Sequence, residues 1–243
     1  MASSASGPYR DLQVVPQILR NVPLATFYLA ADPALTVSLL PEGLSPAPNG
    51  RIVLNMWSHS DPRETTGFGG FGAMGIAYLA VEVAGEQGAT TDGKTAFPAR
   101  CWMQHWCNYE PARAYAAKTS GLTILPGQPN VTIAGDRLTG VLELGGRIVI
   151  SASATVGSEP QGVQSGFSIY HAPRTGPDGA AQVARYVVPW VGDSYLAESP
   201  AVALSFDAQA PANALFGGQP PTVLGVTFRR MTLVPYLASV ARQ

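Results

Sequence analysis

Reactive side chains are few in this 243-residue chain, and each can be weighed singly. Lysine occurs only as Lys94 and Lys118. Lys94 belongs to the turn Asp92-Gly93-Lys94 and is expected in solvent. Lys118 follows the alanine-rich run Ala112 to Ala117, where a lysine held against apolar walls loses its proton near neutrality and can form a Schiff base with a carbonyl. The plainer reading is a surface lysine at a strand end. Acidic residues fall mainly in turns, with Glu82, Glu110 and Glu143 in or beside apolar runs. A carboxylate there costs free energy unless it is paired or lines a polar cavity. Glu82 and Glu110 are therefore expected either to pair with Arg113 or Arg100 or to act as acid or base.

His59, His105 and His171 are the only imidazoles, and no G-x-S-x-G elbow accompanies them, which argues against a hydrolase triad. Cys101, His105 and Cys107 have the residue types of a zinc site, but the spacing lacks a C-x-x-C knuckle and a fourth ligand. Buried packing is the expectation there, and no metal or cofactor is expected. Trp102 to Tyr109 concentrates aromatic and polar atoms and suits the wall of a ligand site. Gly67 to Gly72 spells G-x-G-x-x-G, yet Ser58 to Thr66 before it is polar and turn-like, and Gly75 to Ala84 after it reads as a strand. A dinucleotide site needs a strand and then a helix, so this is read as a glycine loop whose Phe68 and Phe71 line or cover a pocket.

These side chains need a scaffold, and composition indicates its class. The chain is 46% hydrophobic and 13% charged, which supplies apolar surface for a core and excludes a disordered polyelectrolyte. Its 26 glycines and 21 prolines favour short strands and tight turns over long helices. Apolar or alternating runs predict strands over Ala25–Ala30, Arg51–Trp57, Gly75–Ala84, Cys101–Trp106, Pro111–Ala117, Leu138–Leu144, Arg147–Thr155, Gly166–His171, Ala181–Trp190, Ala201–Phe206 and Thr222–Thr232. A short helix is predicted between the first two, with Asp32 as N-cap, Pro33 at its first position and Pro41 as its stop. Residues 1–24 read as a lead-in with an amphipathic piece around Leu12, Val15, Ile18 and Leu19, and residues 25–243 as one domain. The net charge is −1 and no run of one sign exists, so neither nucleic acid nor an anionic membrane is an expected partner. The absence of a long apolar segment or a basic leader leads to the expectation of a soluble, cytoplasmic protein.

The order of motifs resembles the acetoacetate decarboxylase superfamily. Leu39-Leu40-Pro41-Glu42-Gly43-Leu44 is similar to the family's V-V-P-E-P-L. Arg51 to Trp57 continues the likeness, and Asn108 to Gly121 looks like the segment leading to the family's G-x-P-K. Asp136, Leu138, Gly140, Leu142 and Gly145, followed by Arg147 to Gly157, are similar to its D-x-L-x-G-x-L-x-x-G strand pair. A weaker likeness runs from Gly192 to Leu237. The resemblance implies a mostly β fold with a few short helices, closed into a cone-like β-barrel around an apolar cavity, usually in a homo-oligomer. It also implies where the family's catalytic groups fall. Laid on Gly121, the G-x-P-K motif puts Thr123 at the proline and Ile124 at the Schiff-base lysine. The family glutamate falls near Met74, and a second carboxylate at Leu54 or Asn55.

An isoleucine cannot form an imine, so the sequence points to a repurposed barrel. Its expected ligand is a hydrophobic, carbonyl-bearing, polyketide-like metabolite. The expected reaction is a cyclisation, isomerisation or lyase step without a covalent intermediate. Candidate catalytic residues are His105, Tyr109, Glu110, Arg113 and Lys118, and candidate substrate contacts are Phe68, Phe71, Met74, Trp102 and Ile124. Two alternatives stay open: imine chemistry on Lys118 with Glu110 or Glu82 as partner, and a non-catalytic small-molecule binding protein.

Overall fold

The computed structural model of the chain describes residues 18–59, 65–66, 73–176, 179–207, 210–233 and 236–242. The elements are β1 (Ile18–Ala30), α1 (Pro33–Leu39), β2 (Arg51–His59), β3 (Thr65–Thr66), β4 (Met74–Thr90), β5 (Ala96–Cys107), α2 (Glu110–Ser120), β6 (Leu125–Pro126), β7 (Gln128–Ala134), β8 (Arg137–Leu144), β9 (Arg147–Thr175), β10 (Ala181–Phe206), a 3-10 helix (Pro211–Phe216), β11 (Val223–Leu233) and β12 (Tyr236–Arg242).

Pairing runs β10–β11–β1–β2–β4–β5–β9 and then returns from β9 to β10, so these strands form a closed circuit. Every step is antiparallel except β5 to β9, which is parallel at Arg100↔Tyr170 and Cys101↔His171. Closure satisfies backbone groups that an open edge would expose. Residues opposite each other across a pair share a face of the sheet. The sequence of partners Thr227, Thr26, Asn55, Tyr78 and His105 therefore stays on one side. Glu82, Arg100, Tyr170 and Tyr186 continue on that side through β9 to β10. A bulge at Met103 lets Trp102, opposite Ala80, share this face with His105.

The other side of β1, β2 and β4 carries Phe27, Leu29, Ile52, Leu54, Met56, Leu79 and Val81. It packs on Leu138, Leu142, Ile150, Ala152 and Val156 from β8 and the first part of β9. β2 and β4 thus lie between an interior and a second layer, which is why their sequences are almost continuously apolar. β9 and β10 are long because they serve both layers. Their hairpin shifts register between Ser194 and Ala203, where it passes from the circuit to the second layer.

The structure corrects several expectations. Pro111–Ala117 is helix and not strand: Glu110 and Pro111 open α2, alanine favours its interior, and Gly121 closes it in the left-handed region at φ 64°. The pairs Arg147–Thr155 with Gly166–His171, and Ala181–Trp190 with Ala201–Phe206, are each one continuous strand. β7 went unpredicted because Pro129 and Asn130 interrupt its alternation, which an edge strand tolerates. β1 starts at Ile18, so the end of the expected lead-in is strand paired with β11, and Ser58 and His59 complete β2 rather than a turn. The helix after Asp32 is present, its first turn held by Asp32 Oδ1 accepting from Ala34 N at 2.8 Å. Phe68 and Phe71, with the rest of Gly67 to Gly72, lie outside the described residues.

Candidate functional site

The interior of the circuit is aromatic and polar. Tyr78 from β4 and Tyr170 from β9 bring their hydroxyls within 3.0 Å, with β5 between the two strands. Trp102 stacks on Tyr170 with centroids 5.0 Å apart and contacts Tyr186 at 5.2 Å and His105 at 5.3 Å. Thr26 donates its hydroxyl hydrogen to Asn55 Oδ1, which turns the Asn55 amide nitrogen toward the neighbourhood of Tyr78. Burial first, then Tyr170, raises the pKa of Tyr78 well above the ordinary phenol, so it stays a neutral hydroxyl. Burial alone pushes the His105 imidazole down to about 4, so it is uncharged at neutral pH.

One end of this face is charged. Glu82 is fully buried and binds Arg51 Nε at 2.7 Å and Asn49 Nδ2 at 2.8 Å, with Arg100 Nη2 at 3.8 Å from its other oxygen. Arg51 also lies over the Tyr28 ring, 4.8 Å from its centroid. Burial opposes the charge on Arg100, but Tyr170, Tyr28, Tyr78 and Glu82 outweigh it and push its pKa up. Arg229 on β11 lies over Trp190 at 5.1 Å, and burial pushes its pKa down although an arginine keeps its proton.

The other end is apolar. Trp57, Met74 and Cys107 form a cluster joined by Leu24, Ile76, Tyr109, Ala112, Ile124 and Leu233. Met74 and Ile124, distant in sequence, belong to this one cluster.

Several interior nitrogens lack a partner. Trp102 Nε1, Arg100 Nε and Arg229 Nε, all donors, and the ring nitrogen His105 Nε2 are sealed from solvent without a hydrogen-bond partner among the described residues. Each such group costs about 1–3 kcal/mol unless an ordered water or a ligand meets it. A preorganised set of donors in a water-poor interior can stabilise negative charge developing on a substrate oxygen.

Trp102 and His105 are thus together in the interior, with Met74, Tyr109 and Ile124 at its apolar end. The remaining candidates are elsewhere. Glu110 and Lys118 are exposed at opposite ends of α2, about 12 Å apart along its axis. Arg113 donates from Nη1 to the Cys107 carbonyl at 2.8 Å, tying α2 to the end of β5. Glu82 pairs with Arg100, as expected, and with Arg51 instead of Arg113. Cys101 and Cys107 are buried, and burial pushes the Cys101 thiol up to about 12, which makes it unreactive.

Sequence reasoning missed Tyr28, Tyr78, Tyr170, Tyr186 and Arg229. The available signal was polar side chains at every second position of strands that are otherwise apolar on both faces.

A cleft of about 810 Å³ lies beside β2, β4 and β7, includes Ser58, Asn108, Asn130 and Arg230, and shares Met74 with the apolar end of the interior. Its polar groups are largely engaged: Ser58 Oγ accepts from Val131 N at 2.8 Å, and Asn108 Oδ1 accepts from Gly75 N at 2.8 Å. The interior, with its unsatisfied donors, is the stronger candidate although the cleft is the more open space.

No protein-family model matches the chain, and no curated protein matches it. Solved structures do. Acetoacetate decarboxylase from Legionella pneumophila subsp. pneumophila str. Philadelphia 1 superposes with a TM-score of 0.71 at 13% identity, covering 99% of each chain. An acetoacetate decarboxylase-like enzyme from Sphingomonas wittichii RW1 gives 0.61 at 16% identity over 100% of this chain and 99% of the other. The enduracididine biosynthesis enzyme MppR, complexed with the condensation product of pyruvate and imidazole 4-carboxaldehyde, gives 0.60 at 15% identity over 93% and 88%. Identities this low carry architecture and not activity. On its strand order, its paired interior and these superpositions, the chain has the acetoacetate decarboxylase fold.

Proposed function

We propose that this protein is an enzyme that binds a largely apolar, carbonyl-bearing, polyketide-like metabolite inside the strand circuit, which we read as the closed, cone-like barrel. It promotes a cyclisation, isomerisation or lyase step there without forming an imine. The observation that carries this reading is the placement of the amines. Lys94 is 83% exposed in its turn, Lys118 is exposed on α2, and Ile124 lies in the apolar cluster where the family resemblance implies the lysine. The chain has no third lysine.

Covalent catalysis through an amine makes an electron sink. Without it, the interior must hold charge electrostatically. Trp102 Nε1–H and the Arg100 and Arg229 guanidiniums act as donors to an oxyanion forming from the substrate carbonyl. His105, an uncharged imidazole beside Tyr78, takes up or returns the substrate proton. The rings of Tyr78, Trp102, Tyr170 and Tyr186 exclude water and restrict the substrate to few conformations, so that reacting atoms meet more often.

The test combines trapping with turnover. Borohydride treatment in the presence of a β-keto acid is expected to leave the intact mass of the wild type unchanged. A panel of polyketones is expected to yield a product that His105→Gln forms at least about a hundredfold more slowly. A covalent increment that disappears in Lys118→Ala would restore imine chemistry. Ligands that raise the melting temperature yet give no product at high protein concentration would leave a binding protein.

A further inference from the structure

We infer that the interior takes its ligand as a delocalised oxyanion, the enolate of a 1,3-dicarbonyl compound, with Arg229 as counter-charge. The inference rests on the reading of the interior as the substrate site. The first ground is charge. Arg51 and Arg100 together overcompensate the single carboxylate of Glu82. Arg229 adds another positive charge within electrostatic reach of Arg100, Tyr28 and Tyr170, and among the described residues no carboxylate pairs with it. Excess positive charge among aromatic rings is costly unless an anion meets it.

The second ground is the sign of the unsatisfied groups. Among the described residues the interior nitrogens of Trp102, Arg100 and Arg229 left without partners are donors, against one acceptor, Glu82 Oε1, which already faces Arg100 at 3.8 Å, and this balance calls for a ligand rich in acceptors. Their placement is the third. Arg100, Trp102 and His105 stand on β5 and Arg229 on β11. Those strands are separated around the circuit by β1, β2 and β4 in one direction and by β9 and β10 in the other. A lone carboxylate carries both oxygens on one carbon and serves one wall. The enolate of a 1,3-dicarbonyl compound carries them on two carbons, with the charge shared between them, and can answer donors from both walls. Its flat conjugated carbon frame also suits the rings of Tyr78, Trp102 and Tyr170. Arg229, His105 and Trp102 keep part of their surface accessible, so the ligand reaches the sealed nitrogens by displacing their side chains.

The probe is 1-phenyl-1,3-butanedione, whose enolate has its own absorption band. It is titrated with pH, free and bound to the full chain, beside its O-methyl enol ether, which cannot ionise, and benzoate. The bound diketone is expected to ionise about one pH unit or more below the free compound. The ether is expected to bind at least about tenfold more weakly than the diketone. Arg229→Gln is expected to move the ionisation back toward its free value and to weaken the diketone by a larger factor than the ether. An unshifted ionisation, or equal affinity for ether and diketone, overturns the enolate and leaves the substrate site standing. Benzoate bound more tightly than the diketone also overturns it, in favour of a carboxylate. If none of the three changes the tryptophan fluorescence or melting temperature, the reading of the interior falls, and the enolate with it. Should Arg229→Gln not fold, the wild-type comparison of diketone with ether decides alone.

Discussion

Glu82 shows how far a single position can be read from its chemistry. A glutamate in the apolar run of β4 demands a partner, and the sequence offered Arg100, which is there. It did not offer Arg51, which becomes a neighbour only because β2 and β4 pair in the register Ile52↔Val81. The carboxylate has no exposed surface, so removing its charge leaves two guanidiniums facing each other in a poorly hydrated place. Glu82→Gln is expected to lower stability by about 3–5 kcal/mol, read as a lower urea midpoint with an unchanged slope. A loss below about 1 kcal/mol would mean the ion pairs are solvated and the interior is wetter than its burial indicates. Ile124 is the opposite case. An isoleucine on its own carries no signal, and only the resemblance marks its position as a place where an amine is missing.

Among the elements, α2 is the instructive error. Its apolar residues are almost all alanine, which satisfies a helical or a strand pattern equally, so periodicity could not decide. The ends decide: Pro111 suits a first helical turn, and Gly121 takes a backbone conformation that side chains resist. A β-carbon at Gly121 would also come within 2.7 Å of the Thr175 carbonyl oxygen at the end of β9. Gly121→Ala is therefore expected to cost about 1 kcal/mol or more, lowering the melting temperature by about 2–4 °C while far-ultraviolet circular dichroism holds. An unchanged melting temperature would mean that α2 closes without the left-handed residue and docks independently of β9. Formation of α2 instead of a strand is what puts Glu110 and Lys118 outside: the helix and its N-cap cover the apolar end of the interior with Ala112 and Tyr109, while Glu110 and Lys118 face solvent.

The assembled circuit has a pH signature of its own. Burial lowers the pKa of both His105 and His171, and at His171 this outweighs the opposing pull of Glu86. Between about pH 4 and the ordinary histidine value near 6.5, the unfolded chain binds protons that the folded chain does not. Stability is thus expected to fall as pH drops through that window and to be flat, as far as these groups are concerned, just above it. Melting temperatures from pH 8 to pH 4.5 measure this, and His105→Gln should flatten the decline. A wild-type profile level down to pH 4.5 would show that the imidazoles are hydrated. How much was legible divides along the same physical line. Local pattern sufficed for the class of fold, for α1 with its Asp32 cap, for the cores of β2, β4, β8 and β11, and for the scarcity of amines, because backbone preference and side-chain chemistry act over a few residues. The union of β9 and β10 into strands spanning two layers, the identity of the interior face, and the convergence of Trp102, Tyr170 and Arg229 were settled only by register and closure. Those depend on pairings between residues as far apart in the chain as Thr26 and Thr227, which no local window contains.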